Sequence, residues 1–233
     1  METKSDIALN STNPLIDELF SVGAHIGYSR SRRHPSLANF IFGKKNKLDI
    51  IDLEKTSVQL ADALEFIKAL KAQGKTILFV GTKPEARESI KAAATSVGMP
   101  YVIERWIGGL LTNFPQMKKR LDRLAELTLL VTDDGFNVYT KKEQNVLKKE
   151  LEDLNRKFGG FRDITRIPDA LFIIDPKHEH IAVREAKDVK IPVAAVLNSD
   201  CSSVGVLYPV VANDSAPKTI SYFTSKIAEA YEG

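Results

Sequence analysis

Continuous apolar runs alternate along the chain with stretches in which apolar residues recur every three or four positions. The runs at 75–81, 169–175 and 191–197 contain few polar residues, as is typical of strands that are buried on both faces of a sheet. The stretches at 54–74 and 84–98 have helical spacing, and each ends at a glycine. Strands that alternate with helices predict an α/β domain with a mostly parallel, Rossmann-like sheet and helices on both of its faces.

The same patterns predict several shorter elements. Asparagine and serine suit two of the helix starts because their side-chain oxygens accept hydrogen bonds from the first free amide groups of a helix. We expect a helix at 13–23 capped by Asn13, strands at 48–53 and 101–103, a helix at 178–189, an irregular segment at 207–211, and a final helix at 215–233 capped by Ser215.

Two helical stretches with heptad-like apolar stripes interrupt the alternation. The stripes consist of Met117, Leu121, Leu124, Leu127 with Thr128, and Val131 in the first stretch, and of Leu147, Leu151, Leu154 and Phe158 in the second. Between them, "TDDG" at 132–135 predicts a turn, and Thr140 with Glu143 has the capping-box spacing that starts a helix. We therefore expect an antiparallel coiled-coil helical hairpin at 105–161, inserted into an α/β domain made of 1–104 and 162–233.

A glycine pair flanks this insertion at each end. Gly108 and Gly109 precede the first helical stretch, and Gly159 and Gly160 follow the second. Glycine lets the backbone bend and approach other groups closely, so both pairs are predicted to act as the hinge and mounting point of the hairpin. Trp106, beside the first pair, is expected to pack at the hairpin's base.

Charge is concentrated in one short segment. The chain has a formal net charge of +3, yet residues 28–47 contain six basic side chains and no acidic one, so the rest of the chain is net acidic. The cations are Arg30, Arg32, Arg33, Lys44, Lys45 and Lys47, and Tyr28, His34, Phe40 and Phe42 lie among them. Such a segment is either a solvated loop or a surface that contacts phosphate groups and unstacked bases.

The composition places the chain among globular proteins with a sizeable core, since 43 % of residues are hydrophobic and 27 % are charged. Its apolar runs are shorter than the roughly 20 residues that a membrane-spanning helix needs. The first residues, "METKSDIALNSTNP", contain no apolar signal core. We expect a cytoplasmic protein without membrane contact.

The sequence contains no recognisable catalytic motif. The segment at 81–83 lacks both the G-x-G-x-x-G fingerprint and the G-K-S/T of a phosphate loop. His178 and His180 are two residues apart, which on a helix directs their side chains away from one metal ion, and Glu179 is expected to complement the helix dipole. Cys201 is the single cysteine and has no catalytic partner that the sequence identifies. We expect no catalytic residue, no metal site and no cofactor.

Six separated stretches resemble the family of ribosomal protein number two of the small ribosomal subunit, in its bacterial form. They lie at 21–27, 39–56, 75–83, 104–114, 141–160 and 167–193, in order along nearly the whole chain. The most specific stretches are "RWIGGLLTN" at 105–113 and "PDALFIID" at 168–175. The chain departs from the family pattern at Tyr28, at 33–35 and at 198–203, which suggests a divergent lineage.

The resemblance implies an α/β domain with a coiled-coil hairpin, no catalytic activity, and a place on the solvent side of the small subunit near the junction of its head and body. Its implied partners are small-subunit ribosomal RNA, neighbouring ribosomal proteins and, in bacteria, small-subunit protein number one. A second copy of the chain is not among them, and an organellar ribosome is an alternative host. The RNA-binding residues that we expect are His25, Tyr28, Arg30, Arg32, Arg33, His34, Lys44, Lys45, Lys47, Arg105, Asn113 and Lys118.

Two alternatives belong to other functional classes. A doubly wound sheet is also the fold of many nucleotide-dependent enzymes, and saturable nucleotide binding at 81–83 would favour that class. The second alternative is a protein-interaction scaffold in which the hairpin binds a partner and RNA contact is incidental.

Overall fold

The computed structural model describes residues 14–132, 136 and 138–233. The helices are α1 (Pro14–Ser21), α2 (Leu53–Ala72), α3 (Pro84–Ser96), α4 (Phe114–Thr132), α5 (Lys141–Phe158), α6 (His180–Asp188) and α7 (Pro217–Glu232). The strands are β1 (Ile26–Ser29), β2 (Ile41–Lys45), β3 (Leu48–Ile51), β4 (Ile77–Val80), β5 (Tyr101–Val102), β6 (Ala170–Ile174), β7 (Val193–Leu197) and β8 (Tyr208–Val211). In this part of the chain, no helix combines the length and the apolar character needed to cross a membrane.

The larger sheet of the described residues has five parallel strands in the order β5-β4-β6-β7-β8. In β6, Phe172 and Ile174 pack into the core on one face, and Leu171 and Ile173 pack into the core on the other. The first core includes α1, α2, α3 and α7, and the second includes α6 and the bases of α4 and α5. The α/β prediction is confirmed, and burial on both faces explains why the strands read as continuous apolar runs.

Three predicted boundaries or elements differ in the structure. Residues 207–211, expected to be irregular, include the regular strand β8, which tolerates Pro209 because it lies at the sheet edge. Helix α6 begins at His180 because the preceding residues form turns. Ala216, not Ser215, precedes α7, and the Ser215 hydroxyl lies instead within hydrogen-bonding distance of Tyr28 Oη and Asp214 Oδ1. Helix α1 is present as predicted, while its expected cap, Asn13, lies outside the described residues.

A second, antiparallel sheet has the order β1-β3-β2, and only β3 was anticipated from the sequence. Strands β2 and β3 are joined by Asn46 and Lys47, whose φ angles of 51° and 69° are typical of a tight two-residue hairpin turn. The predicted strand stops at Ile51 because Asp52 caps α2 and accepts hydrogen bonds from the amides of Glu54 and Lys55. This sheet was not predicted because β1 and β2 are short, each contains a glycine, and their exposed positions include both apolar and basic side chains.

The two helical stretches of the predicted insertion form α4 and α5. Leu121 and Leu124 are buried in a core cluster against which Leu151 and Leu154 pack. The capping box at Thr140 is confirmed, because its hydroxyl accepts from the Glu143 amide and its own amide donates to the Glu143 carboxylate. Arg123 Nε lies 3.0 Å from Glu150 Oε1, which adds an ion pair between the helices. The predicted turn at 132–135 falls largely outside the described residues.

Both edges of the parallel sheet are covered by other parts of the chain. At the β8 edge, the amide of Val211 donates to Gln59 Oε1 at 3.0 Å, and its carbonyl accepts from the Thr56 hydroxyl at 2.7 Å. At the β5 edge, the turn Gly159–Phe161 lies against Tyr101, and Gly160 has no room for a side chain because a Cβ would overlap the Tyr101 carbonyl and ring. These contacts occupy the outward backbone groups of Val211 and cover Tyr101, which shields part of each edge from the addition of another strand.

We predict that Gly160→Ala lowers the free energy of unfolding by about 1–3 kcal/mol, because the added methyl group must displace the backbone of β5. Gly159→Ala is the matched control, since its Cβ would meet only the side-chain end of Asn155, which can rotate away. Urea unfolding of both variants measures the difference. Equal stability of the two variants would contradict the close approach at Gly160.

Candidate nucleic-acid interface

The basic segment, residues 28–47, folds along the antiparallel sheet and turns most of its charges towards solvent. Two 3-10 turns, Arg30–Arg32 and Pro35–Phe40, lead into β2. The exposed cations of the segment are Arg30, Arg32, Lys44, Lys45 and Lys47. Within the described residues, none of these five forms an ion pair. Their uncompensated charge creates a positive surface of the kind that attracts phosphate groups.

Arg33 differs from the other cations because it is already paired inside the protein. Its Nε donates to Asp49 Oδ2 at 2.6 Å and its Nη2 donates to Asp49 Oδ1, so the guanidinium binds the carboxylate in a bidentate manner. The Asp49 side chain is fully buried, and its hydrogen bonds raise the pKa of Arg33. The pair fixes the 3-10 turns to β3 and leaves Arg33 less available for phosphate than its neighbours.

Tyr28 and His34 attach the segment to the carboxyl edge of the parallel sheet through Ser199. The Tyr28 amide donates to Ser199 Oγ at 2.9 Å, and the His34 amide donates to the Ser199 carbonyl at 2.8 Å. The Tyr28 hydroxyl lies 2.6 Å from Ser215 Oγ, while the Arg32 guanidinium stacks 4.8 Å from the Tyr28 ring centre. These contacts connect the exposed cations to the loops that follow β7 and β8 of the parallel sheet.

His25 lies at the start of β1, where its ring stacks on Phe20 with 4.3 Å between ring centres. Its Nδ1 is buried and has no hydrogen-bond partner in the described protein. Burial, and then the charge of Lys45, lower the pKa of His25, so the ring is neutral at physiological pH. A neutral imidazole can donate or accept one further hydrogen bond but adds no charge to the surface.

The remaining expected RNA contacts surround the start of α4. Arg105, Asn113 and Lys118 are all exposed, and the Asn113 carbonyl accepts from the Gln116 and Met117 amides in the first turn. Trp106, by contrast, is buried in the core, as expected of a packing residue. In this stretch the polar side chains are therefore exposed, whereas Trp106 packs inside the protein.

The four glycines that flank α4 and α5 differ in backbone conformation and in the space around them. Gly109 has a φ of 88°, a conformation that residues with a Cβ rarely adopt. Gly108 has open space around it, so a side chain there would meet nothing within 4 Å. Gly159 ends α5 in ordinary helical geometry, and Gly160 lies against Tyr101.

A buried carboxylate, Glu185 on α6, binds the whole stretch from Trp106 to Thr112. Its Oε1 accepts hydrogen bonds from the Trp106 indole at 3.1 Å and the Gly109 amide at 2.8 Å. Its Oε2 accepts from the Leu111 amide at 3.0 Å and from the amide and hydroxyl of Thr112, each at 3.2 Å. Burial opposes ionisation of Glu185, but these donors outweigh it and lower its pKa. One side chain therefore fastens the start of the α4–α5 unit to the α/β domain.

Glu179 occupies the position where a nucleotide phosphate would bind if residues 81–83 were a phosphate loop. The loop at 81–83 lies between β4 and α3, at the point where the strand order reverses between β4 and β6. The Glu179 carboxylate accepts hydrogen bonds from both the amide (2.9 Å) and the hydroxyl (2.5 Å) of Thr82. Glu179 is buried and directly precedes α6, where its carboxylate binds this loop and makes no capping hydrogen bond to its own helix.

Lys83, in the same loop, is held by two carboxylates. Its Nζ lies 3.0 Å from Asp175 Oδ2 and 3.6 Å from Asp214 Oδ1, and it donates to the Asp214 carbonyl at 3.2 Å. Burial opposes the charge of Lys83, but Asp214 and Asp175 raise its pKa. Burial and the nearby Asp175 raise the pKa of Asp214 to about 6. The ammonium of Lys83 offsets part of the charge of the two carboxylates and links three loops.

Cys201 joins this cluster without gaining reactivity. Its Sγ lies 3.5 Å from Asp175 Oδ1, and ligand atoms of Asp175, Cys201 and Asp214 all lie within 4.8 Å of one another. That spacing would suit a metal ion, but the Lys83 ammonium already supplies positive charge to both carboxylates. Burial, followed by Asp175, raises the pKa of the thiol, so it is neither a ready metal ligand nor a nucleophile at neutral pH.

The sequence analysis did not single out Glu185 and did not predict the contact of Glu179 with Thr82. Within α6, Glu185 falls on the same helical face as the buried Ala182 and Ala186, and an acidic residue on an apolar face is a detectable signal. Its partners are 73 to 79 residues away in the chain, so the sequence could not have identified them.

Comparisons with known proteins converge on one family. The model of the family described as Ribosomal protein S2 matches residues 19–233. The chain is 47% identical over 214 residues to the small ribosomal subunit protein uS2 of Acidothermus cellulolyticus, covering 91% of this chain and 78% of that protein. Proteins of the same name from Nocardia farcinica (45% over 213 residues; 91% and 75% covered) and Dictyoglomus turgidum (44% over 216 residues; 93% and 88% covered) are similarly close.

We predict that Glu185→Gln lowers the free energy of unfolding by about 3 kcal/mol, because an amide nitrogen replaces an oxygen that accepts buried hydrogen bonds. Glu88→Gln, at an exposed position on α3, is the matched control and should change stability little. Chemical denaturation at pH 7 measures both variants. A Glu185→Gln variant as stable as the control would show that the carboxylate does not fasten this stretch.

The same carboxylate predicts a pH dependence. Because its folded-state pKa lies below the ordinary value of 4.5, Glu185 stabilises the fold above its unfolded-state pKa, and this contribution is lost as pH falls through the folded-state value. The wild type should therefore lose more stability than Glu185→Gln between pH 7 and pH 3. An equal loss of unfolding free energy in the wild type and the variant across that range would contradict the lowered pKa.

Proposed function

The chain belongs to the ribosomal protein S2 family, and from that premise we propose how it is held in the small ribosomal subunit, of which it is a structural constituent. The basic segment binds the phosphodiester backbone of small-subunit ribosomal RNA. The observation that carries this proposal is a group of five exposed cations at 28–47, along a small sheet attached to the main fold, that form no ion pair with any described residue. Phosphate contacts of this kind position a protein without reading base sequence.

Preorganisation of the segment supports this role. The Arg33–Asp49 pair and the two hydrogen bonds to Ser199 hold the turns in place before RNA arrives. Less conformational entropy is then lost on binding than from a mobile loop. Tyr28 and His34 act as supports of the cationic surface, and His25 offers a neutral imidazole next to Lys45.

We place a second group of RNA contacts at the base of the helical insertion. Arg105 and Lys118 supply exposed positive charge there, and Asn113 supplies an exposed amide. The Glu185 carboxylate fixes the backbone of the intervening stretch, which keeps these side chains in a constant relation to the α/β domain.

The region 105–161 forms, in this proposal, an antiparallel coiled-coil hairpin that contacts neighbouring small-subunit proteins, with small-subunit protein number one among them in bacteria. Gly108, Gly109, Gly159 and Gly160 are its mounting points. Leu129 on α4 and Val146 on α5 are 71% and 59% exposed, which leaves apolar surface that a protein partner can bury.

The nucleotide-dependent enzyme is the weaker candidate. The loop that would bind phosphate donates its Thr82 amide and hydroxyl to Glu179, and the Lys83 ammonium binds two carboxylates. A nucleotide phosphate would have to displace these carboxylates, which already satisfy the same donors. The family is named for a ribosomal protein, which accords with a structural function.

We predict that Lys44→Ala/Lys45→Ala weakens binding to a transcript of small-subunit ribosomal RNA. The slope of log K against log salt should become shallower by about 1.4 to 1.8, because two phosphate contacts are lost at roughly 0.7 to 0.9 each. Filter binding at several salt concentrations measures the slope.

Lys68→Ala/Lys91→Ala is the matched control, since both lysines are exposed on α2 and α3 on the other side of the sheet and neither forms an ion pair in the described structure. Wild-type slopes in both double variants, or a wild-type protein whose RNA binding is independent of salt, would overturn the role of the basic segment.

A further prediction concerns the helical insertion. Leu129→Ser/Val146→Ser should reduce co-sedimentation with small subunits in lysate by about tenfold or more, because the partner loses two apolar contacts. Affinity for the isolated RNA transcript should stay unchanged. Val58→Ser, at an apolar residue on α2 that is 62% exposed, is the control. Undiminished co-sedimentation, or an equal loss of RNA affinity, would argue against a protein-contacting hairpin.

A further inference from the structure

A groove of about 470 Å³ runs between α6 and the loops that follow β6 and β7. Its basic lining residues, which define what we call the α6 groove, are His34, Lys177, His180, Arg184 and Lys187. His180, Arg184 and Lys187 follow one another at intervals of four and three residues, so they share one face of α6. The α6 residues of this groove lie outside the basic segment and are not among the RNA-binding residues expected from the sequence.

The charges of the α6 groove are largely uncompensated. Arg184 and Lys187 are exposed, and neither forms an ion pair within the part of the chain that the structure describes. Lys177 is paired with Asp200, the one acidic residue of the lining, at 2.7 Å. The helix dipole accounts for a cation at Lys187 in the last turn, but Arg184 lies in the middle of the helix, where the dipole gives no such preference. An anionic ligand would reduce the electrostatic repulsion between the cations of the groove.

The α6 groove is continuous with the basic segment. His34 belongs to both, because its side chain lines the groove while its amide is bound to Ser199. Asp200 raises the pKa of Lys177, and the charge of Arg32 opposes that shift, so the cations of the two surfaces lie close enough to interact. One extended strand of phosphates can therefore follow both surfaces without a break.

We propose that the α6 groove binds the phosphodiester backbone of small-subunit ribosomal RNA, as a continuation of the basic segment. This inference rests on the proposed function and adds a second set of contacts to it. RNA suits the lining better than a protein does, because protein interfaces are depleted in lysine, whereas Arg, Lys and Ser are the usual donors to phosphate oxygens. Arg184 and Lys187 supply the charge, and the Ser202 hydroxyl at the rim is a further donor.

The test compares Arg184→Ala/Lys187→Ala with the control Lys68→Ala/Lys91→Ala, using the full chain and a transcript of small-subunit ribosomal RNA. The groove variant should reduce the slope of log K against log salt by about 1.4 to 1.8, while the control keeps the wild-type slope. Arg184→Lys/Lys187→Arg retains both charges and should keep that slope as well. Circular dichroism and thermal unfolding confirm that each variant is folded.

The outcomes separate this inference from the proposed function. If Lys44→Ala/Lys45→Ala weakens RNA binding and Arg184→Ala/Lys187→Ala does not, the groove proposal is wrong and the basic segment stands. If neither variant changes the slope, the proposed RNA interface itself fails. If the groove variant binds the transcript normally but no longer co-sediments with small subunits, the occupant is a protein, which also overturns the proposal.

Discussion

The hydrogen bonds to the buried carboxylate of Glu185 determine how α4 is placed relative to α6. Five donors from Trp106, Gly109, Leu111 and Thr112 converge on it, so a stretch without regular structure has its backbone amides satisfied inside the protein. Glu185 lies on α6, and the outer face of the same short helix carries Arg184 and Lys187. The helix that holds the stretch before α4 thus also presents one of the cationic surfaces, which couples their positions.

Charges at the carboxyl edge of the parallel sheet divide into two kinds. Inside, Lys83 pairs with Asp175 and Asp214, and Glu179 accepts hydrogen bonds from Thr82. The cations outside, on β2 and α6, remain without partners among the described residues. A fold that often binds nucleotides at this edge has here closed the crevice with its own carboxylates, and its positive charge lies on surfaces that large polyanions can reach.

Local pattern predicted most of the fold, and distant contacts account for what it missed. The strands β4, β6 and β7 are buried on both faces, so their apolar runs identify them, and Thr140 with Glu143 marks the start of α5. The small sheet was not predicted because its strands are short and its exposed positions include both apolar and basic side chains. Of the candidate site, the cationic residues were found by composition, whereas the pairing of Arg33 with Asp49 and the partners of Glu185 depend on tertiary contacts that no local signal contains.

The covered edges of the parallel sheet have a consequence for the time before assembly. A constituent of the small ribosomal subunit is made as a separate chain before it joins the particle. Gln59 and Thr56 occupy the outward backbone groups of Val211, and Gly160 closes the approach to Tyr101. Two such chains that meet cannot readily join their parallel sheets edge to edge, so this part of the fold limits self-association before assembly.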